Sequence, residues 1–274
     1  MKYHLTAGSL AAILFAFAQC KSGLVTMSNS CYDLINQGQA QNKSGNFTAA
    51  LDNFDKVIQK CDAYDAKEKG YAGKSAALNG LTRYNDALDA ANSGLAANKS
   101  SLDNLFERAN AEIGLGRNAE AKADLNTITL LTGKNKNTAQ RATIYSKMAE
   151  VDLRQQQYDQ ALQNIQQAIS IDNNNLGFYM QQGDVNVAAG NYTAAIASYD
   201  NAIAKGKNDP EVWKAKTTTI VRMYQKKYKT DDAGTLAKKI SAADRQTLCS
   251  SINTSKQNGV NDIGIDLVQL SVCK

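Results

Sequence analysis

The sequence has almost no histidine: His4 is the only one in 274 residues. It lies in a stretch typical of a leader, so a mature chain would have none. This excludes Ser-His-Asp and Cys-His nucleophile arrangements and every metal site that contains histidine. The sequence also has neither a CxxC pair nor a GxxxxGK[ST] phosphate loop. We therefore predict no catalytic residue, no metal site and no cofactor.

Proline and aromatic residues are also scarce. Pro210 is the only proline, and aromatic residues make up 7% of the chain, although 43% of all residues are hydrophobic. Few backbone amides are therefore missing as hydrogen-bond donors. Helix-forming residues are abundant, and the β-branched runs that are typical of strands are missing. The composition predicts an all-α protein.

Residues 1–18 have the features of an export signal. A positive charge at Lys2 precedes an apolar stretch over residues 11–18, which ends in an Ala-Phe-Ala triplet. This stretch is well short of the ~20 residues that a membrane-spanning helix needs. We expect removal of the signal, a linker over residues 19–30 and a location in a bacterial periplasm or at the cell surface. The alternative is lipidation of Cys20 and anchoring to the outer membrane.

The five cysteines leave one over after pairing. Disulfides are expected in an oxidising compartment. Cys31 and Cys61 lie symmetrically about Gly45, so a helical hairpin that turns there would bring them together. Cys249 and Cys273 flank an Asn-Gly turn signal and would close a second antiparallel pair in the same way. The fifth cysteine is the one considered above for lipidation.

A repeated pattern runs through the chain. Residues 45–58, GNFTAALDNFDKVI, are nearly the same as residues 190–203, GNYTAAIASYDNAI. An alanine of this phrase recurs at steps of 37, 34, 40 and 34 residues. Its positions are Ala50, Ala87, Ala121, Ala161 and Ala195. Small residues, which let paired helices approach closely, recur upstream at Gly38, Ser75, Ala109, Ala149 and Gly183. Units of about 34 residues with helical periodicity predict helix hairpins stacked in series.

This pattern resembles the tetratricopeptide repeat family, whose helix–turn–helix units have small residues at the two helix contact points and aromatic residues between them. The phrases YMQQGDVNVAAGNYTAAIASYDNAI and YSKMAEVDLRQQQYDQALQNIQQAISID match it best. The resemblance implies an all-α, right-handed superhelical solenoid. We expect five repeats over residues 31–209, followed by a divergent sixth repeat and capping helices over residues 210–274.

In such a solenoid the first helices of successive repeats line a concave groove. Their outward positions combine apolar, polar and charged side chains, which suits an extended peptide or a partner helix. The predicted groove residues are Ile35, Gln39, Asn42, Phe106, Asn110, Ser146, Glu150, Arg154, Met180, Asp184, Lys214, Thr218 and Arg222. In one group of the family, Lys, Asn and Arg residues clamp a C-terminal carboxylate. That clamp is absent here, because the corresponding positions are Ile35, Gln39, Gly73, Asp103 and Glu107.

The charge is uneven along the chain. Residues 205–274 have 13 Lys and Arg against 7 Asp and Glu. Basic residues alternate there with Tyr224 and Tyr228, which would suit an anionic surface such as lipid headgroups or an acidic envelope polymer. A solvated face of a capping helix is the simpler interpretation. Export argues against nucleic acid as a partner.

The predicted function is a non-enzymatic interaction scaffold of the cell envelope with a protein or peptide partner. Two alternatives stay open. The first is an outer-membrane-associated lipoprotein of an assembly complex. The second is an envelope-polymer binder or weak hydrolase, which would use the carboxyl groups of Glu150 and Asp184, one repeat apart.

Overall fold

The structure is a computed structural model that describes residues 27–133 and 138–274. These residues form fourteen helices and no strand, which confirms the all-α prediction. The first ten helices are α1 (Asn29–Lys43), α2 (Phe47–Lys60), α3 (Tyr64–Gly80), α4 (Tyr84–Ala97), α5 (Leu102–Gly114), α6 (Asn118–Thr132), α7 (Thr138–Arg154), α8 (Tyr158–Ile171), α9 (Leu176–Ala188) and α10 (Tyr192–Ala204). The last four are α11 (Pro210–Tyr228), α12 (Ala233–Lys239), α13 (Ala242–Gln257) and α14 (Ile263–Val272). The predicted signal and Cys20 lie outside the described residues.

Helices α1 to α10 form five hairpins, and each hairpin packs against the next. The second helix of every hairpin contacts the first helix of the one that follows. The first helices also contact one another, α1 with α3, α3 with α5 and α7 with α9. The chain is therefore a solenoid in which the first helices follow one another. Within the two described ranges, no helix is long and apolar enough to cross a bilayer.

The recurring small residues lie where paired helices touch. All five alanines of the repeated phrase are fully buried. A Cβ atom at Gly38 would lie 2.7 Å from the ring of Phe54, and one at Gly183 would lie 2.3 Å from the ring of Tyr199. These distances are below van der Waals contact, so the aromatic ring occupies the space that a side chain would need. The repeat in the sequence is thus a repeat of helix contacts.

Each of the five hairpin turns contains one residue with a left-handed backbone. Three of these residues are glycines, Gly45, Gly116 and Gly190, with φ angles between 74° and 78°. In the second and fourth hairpins the equivalent residues are Thr82 and Gln156, both with φ of 58°. A β-branched threonine in this region is strained, because its Cβ approaches the backbone too closely.

We expect Thr82→Gly to raise the free energy of unfolding by about 0.5 to 1 kcal/mol, because relief of backbone strain exceeds the entropy that glycine gains in the unfolded chain. The converse change, Gly45→Thr, should lower it by about 1 to 2 kcal/mol. A Cβ at Gly45 meets nothing within 4 Å, so backbone strain alone would act there. Urea unfolding measures both changes. Shifts of the same sign in the two variants would contradict the prediction.

The C-terminal part closes the solenoid with its own core. Asp209 caps α11 through its carboxylate, which accepts a hydrogen bond from the Val212 backbone amide, and Pro210 occupies the first turn of the helix. The apolar faces of α11 to α14 meet around buried Leu248 and Ile252. A disulfide joins Cys249 of α13 to a cysteine just after α14.

The two predicted disulfides are present in the structure. Cys31 at the start of α1 is bonded to Cys61, which follows the end of α2. Cys249 is bonded to Cys273. One bridge therefore lies in the first hairpin and the other among the closing helices. Each end of the solenoid thus has one disulfide that joins two neighbouring helices.

Candidate binding groove

A cavity of about 350 Å³ opens along the first helices of four hairpins. We call it the groove. The residues that define it are Gln39 and Asn42 of α1, Ala72 and Gly73 of α3, Asp103, Phe106 and Glu107 of α5, and Ile144 of α7. Side chains from residues far apart in the sequence thus share one surface.

Small residues on α3 create the space. Ala72, Gly73 and Ala76 all line the groove. A Cβ atom at Gly73 would lie 2.1 Å from the ring of Phe54, so no larger residue fits at this position. Helix α3 thus presents mainly small side chains between its neighbours α1 and α5, and this leaves the space of the groove between them.

One wall of the groove is apolar. Ile128 and Ile144 belong to the buried core between the third and fourth hairpins. Phe106 packs against this core, but its ring is only half-buried and also lines the groove. An exposed aromatic face backed by a rigid core is a typical anchor surface for a binding partner.

The other prominent feature is a pair of carboxyl groups on α5. Asp103 and Glu107 are four residues apart and so lie on the same helix face. The Oε2 atom of Glu107 accepts hydrogen bonds from Asn79 Nδ2 at 2.9 Å and from Asn110 Nδ2 at 3.3 Å. Burial raises the pKa of both carboxyl groups, and repulsion by Asp103 further raises the pKa of Glu107.

Three of the predicted groove residues, Gln39, Asn42 and Phe106, line this cavity. Asn110 lies beside it and orients the Glu107 carboxylate. The prediction for Ile35 is wrong: its side chain is 3% exposed and packs in the core of the first hairpin. Helix α3 covers this face of α1, so Ile35 is not accessible to a partner.

The predicted residues of the fourth hairpin are bonded to neighbours. Ser146 Oγ donates a hydrogen bond to Gln181 Oε1 at 2.6 Å, and Gln181 Nε2 donates to the Ser146 carbonyl at 2.8 Å. Glu150 pairs with Lys147 and with Arg154, each at 3.0 Å. Burial opposes the charged form of Glu150, but the two cations outweigh it and lower its pKa.

In the fifth hairpin, Met180 is half-buried against the core. Asp184 accepts a hydrogen bond from the Tyr199 hydroxyl at 2.7 Å, and burial raises the pKa of Asp184. The two carboxyl groups considered for hydrolysis, Glu150 and Asp184, are thus each held by separate partners. Within the described part of the chain, no group of acidic or cysteine side chains could hold a metal ion.

The three predicted residues of α11 lie apart from the groove. Thr218 and Arg222 line a smaller recess of about 180 Å³ between α11 and α14. Lys214 Nζ pairs with Asp262 at 2.8 Å. The closing helix α14 therefore packs beside this face of α11. Without α14, the same face would have continued the concave surface of the solenoid.

Sequence reasoning missed several groove residues. Lys69 and Ala76 of α3 and Thr143 and Ile144 of α7 also line the cavity. The run of small residues in YAGKSAAL was the available signal, because such a run marks a helix that neighbours can approach closely. The positions on α7 had no comparable signal.

Comparison with known proteins supports the fold. Residues 152–218 match the tetratricopeptide repeat family. Among solved structures, that of Pseudomonas aeruginosa pilF has a TM-score of 0.63 at 15% identity and covers 88% of this chain and 97% of that chain. A thermophilic TPR protein from Thermus thermophilus has a TM-score of 0.60 at 15% identity, covering 70% and 99%. YrrB, described as a TPR protein with an unusual peptide-binding site, has a TM-score of 0.52 at 15% identity, covering 79% and 97%. No curated protein matches the chain.

Proposed function

We propose that this chain, which carries tetratricopeptide repeats, is a non-enzymatic scaffold that binds a peptide or a helix of a partner protein in its groove. The observation that carries the proposal is the open cavity of about 350 Å³, which combines an apolar wall with polar groups from several first helices. A surface of this kind suits an extended chain, because successive side chains of a peptide can meet successive helices. The peptide-binding site named for YrrB supports the same use of the fold.

Hydrogen bonds within the groove favour binding at low entropic cost. Asn42 Nδ2 donates to the Gly73 carbonyl at 3.0 Å, which ties α1 to α3. Asn79 Nδ2 donates to the Glu107 carbonyl at 2.9 Å, which ties α3 to α5. Three of the helices that line the groove, α1, α3 and α5, are thus held in place before a partner arrives. A preformed surface loses less conformational freedom on binding than a flexible one.

We further propose that the scaffold acts in the cell envelope. The support is the signal-like stretch over residues 1–18 and the two disulfides, since disulfides persist mainly in oxidising compartments. A lipid on Cys20 would hold the chain at the outer membrane. The partner would then be an envelope protein with an exposed segment.

Photo-crosslinking in intact cells tests this function. A photoreactive phenylalanine analogue replaces Gln39, which is exposed and lines the groove. We expect a light-dependent adduct with a specific protein in the envelope fraction. The same analogue at Glu120, which is exposed on α6 away from the groove, should give no such adduct. Equal adducts from both positions would reject the groove as the binding surface.

A second variant blocks the groove without touching the core. Thr143→Trp places a large ring in the groove from an exposed position on α7. Thr127→Trp is its matched control, because both threonines are exposed and both donate Oγ1 to the carbonyl four residues earlier. The adduct at Gln39 should disappear with Thr143→Trp and persist with Thr127→Trp. An adduct that persists in both would contradict the proposal.

A further inference from the structure

Two carboxyl groups in the groove lack a cationic partner. In the described part of the chain, neither Asp103 nor Glu107 forms an ion pair with a lysine or arginine. Lys69 of α3 acts on Asp103 only through space, and the neighbouring Glu68 opposes it. Lys147 of α7 acts on Glu107 through space too, since its ammonium is bonded to another carboxylate 3.0 Å away. Among residues 27–133 and 138–274, no lysine or arginine is therefore in direct contact with either carboxyl group, and both groups lie beside an apolar wall.

Hydrogen-bond acceptors are also in excess around this pair. Asn42, which lines the groove, and Asn79, which orients Glu107, each have a buried side-chain oxygen without a donor among the described residues. The Glu107 carboxylate is held through Oε2 by its contacts with Asn79 and Asn110. Buried polar atoms are normally hydrogen-bonded, so donors supplied by a ligand would satisfy this surplus.

The apolar wall beside the carboxylates fits a side chain with a long hydrocarbon stem. The half-exposed ring of Phe106 lies on the same helix, one residue before Glu107, and Ala72 and Ala76 face the cavity from α3. Lysine and arginine bury their methylene groups on apolar surfaces while the cationic end stays near polar groups. An aromatic face also attracts a cation directly.

We propose that this part of the groove is a subsite for a lysine or arginine side chain of the bound peptide. Asp103 and Glu107 provide the charge, the asparagine oxygens accept further hydrogen bonds, and Phe106 packs on the stem. Both cationic groups only donate hydrogen bonds, since the lysine ammonium has three N–H bonds and the arginine guanidinium has five. They therefore match the excess of hydrogen-bond acceptors in this part of the groove. The inference rests on the proposed function and adds a specificity to it: the groove selects a basic residue and rejects a C-terminal carboxylate.

Selection of random peptides displayed on phage tests the subsite. The unaltered chain should select peptides that share one lysine or arginine next to apolar residues. The variant Asp103→Asn, Glu107→Gln has the same shape without the charges, and it should select peptides without the basic position. Glu120→Gln, which removes an exposed carboxyl group outside the groove, is the control and should select as the unaltered chain does.

A binding measurement then makes the result quantitative. The best selected peptide is synthesised with its lysine and with norleucine in its place, and fluorescence anisotropy gives both dissociation constants. Norleucine should weaken binding to the unaltered chain roughly 10- to 100-fold, as expected for loss of a partly buried charge pair. The same norleucine substitution should change the dissociation constant for the double variant only slightly. Circular dichroism checks that the variant is folded.

The outcomes separate this inference from the function on which it rests. One outcome is that the selected peptides lose binding to the Thr143→Trp variant but share no basic residue. It would overturn the cationic subsite and leave the groove proposal standing. Equal loss on norleucine substitution in the unaltered and double-variant chains would also overturn the subsite. Failure to select any peptide, or binding unaffected by Thr143→Trp, would overturn both.

Discussion

Replacing Lys122 by methionine will lower the free energy of unfolding by about 3 kcal/mol or more, because it strips a buried carboxylate of its cation. Asp152 on α7 is fully buried, and its Oδ1 atom lies 2.5 Å from Lys122 Nζ of α6. Its Oδ2 atom accepts a hydrogen bond from Asn164 Nδ2 of α8 at 2.7 Å. The contact with Lys122 ties the third hairpin to the fourth, so its loss acts on the junction between repeats.

Two controls identify the buried charge as the cause. Adding Asp152→Asn to Lys122→Met removes the unpaired charge but keeps a group that can bond to Asn164, so more than half of the lost stability should return. Lys56→Met breaks an exposed pair with Asp52 one turn away and should change stability by less than about 0.5 kcal/mol. Urea unfolding at neutral pH compares the variants. A cost for Lys122→Met as small as that for Lys56→Met would refute the prediction.

Removing the disulfide of the first hairpin will destabilise the protein by about 3 kcal/mol. The bridge closes a loop with a sequence separation of 30 residues and so restricts the unfolded chain. It also lies in the end hairpin, which contacts neighbours on one side only. Cys31→Ser, Cys61→Ser should therefore lower the melting temperature and let α1 and α2 exchange their amide hydrogens faster than the other hairpins do.

Reduction provides the internal check on this prediction. A thiol reductant should lower the melting temperature of the unaltered protein. It should have a smaller effect on the double serine variant, where only the bridge between Cys249 and Cys273 is left to break. A melting temperature of the unaltered protein that does not respond to reductant, or free thiols at Cys31 and Cys61 by mass spectrometry, would show that the bridge does not stabilise this hairpin.

The helix contacts within each hairpin could be predicted because they depend on nearby residues. The recurring alanine and the small residue upstream lie on the two helices of the same hairpin, on either side of its turn. Helical periodicity places them on the surfaces through which these two helices pack. The left-handed turn can be predicted where glycine marks it, at Gly45, Gly116 and Gly190, because glycine adopts a positive φ without strain. It was not predicted at Thr82 and Gln156, because there the packing of the repeat imposes the same turn on residues that disfavour it.

The groove could be predicted only in part. Periodicity shows which residues share a helix face, and it placed Gln39, Asn42 and Phe106 on faces that line the cavity. It does not show what covers that face. Ile35 belongs to the same helix as Gln39, yet it is buried in the core of the first hairpin. The face of α11 around Lys214 was likewise assigned to the groove, although it is engaged by α14.

The sequence by itself determined the helical class, the hairpin unit, its repetition and the two cysteine pairs, since all of these follow from residue types and spacings within one or two helices. Only the tertiary structure brought Asp103 and Glu107 together with Asn42 and with the apolar wall at Ile144. It also decided that Lys122 would meet Asp152, 30 residues away. The physical reason is the stacking of hairpins. Side-chain volumes set how closely neighbouring helices approach, and small differences in these distances accumulate from one repeat to the next, so they decide which side chains of distant repeats meet. Local patterns therefore define the unit, and the packing between units defines the groove.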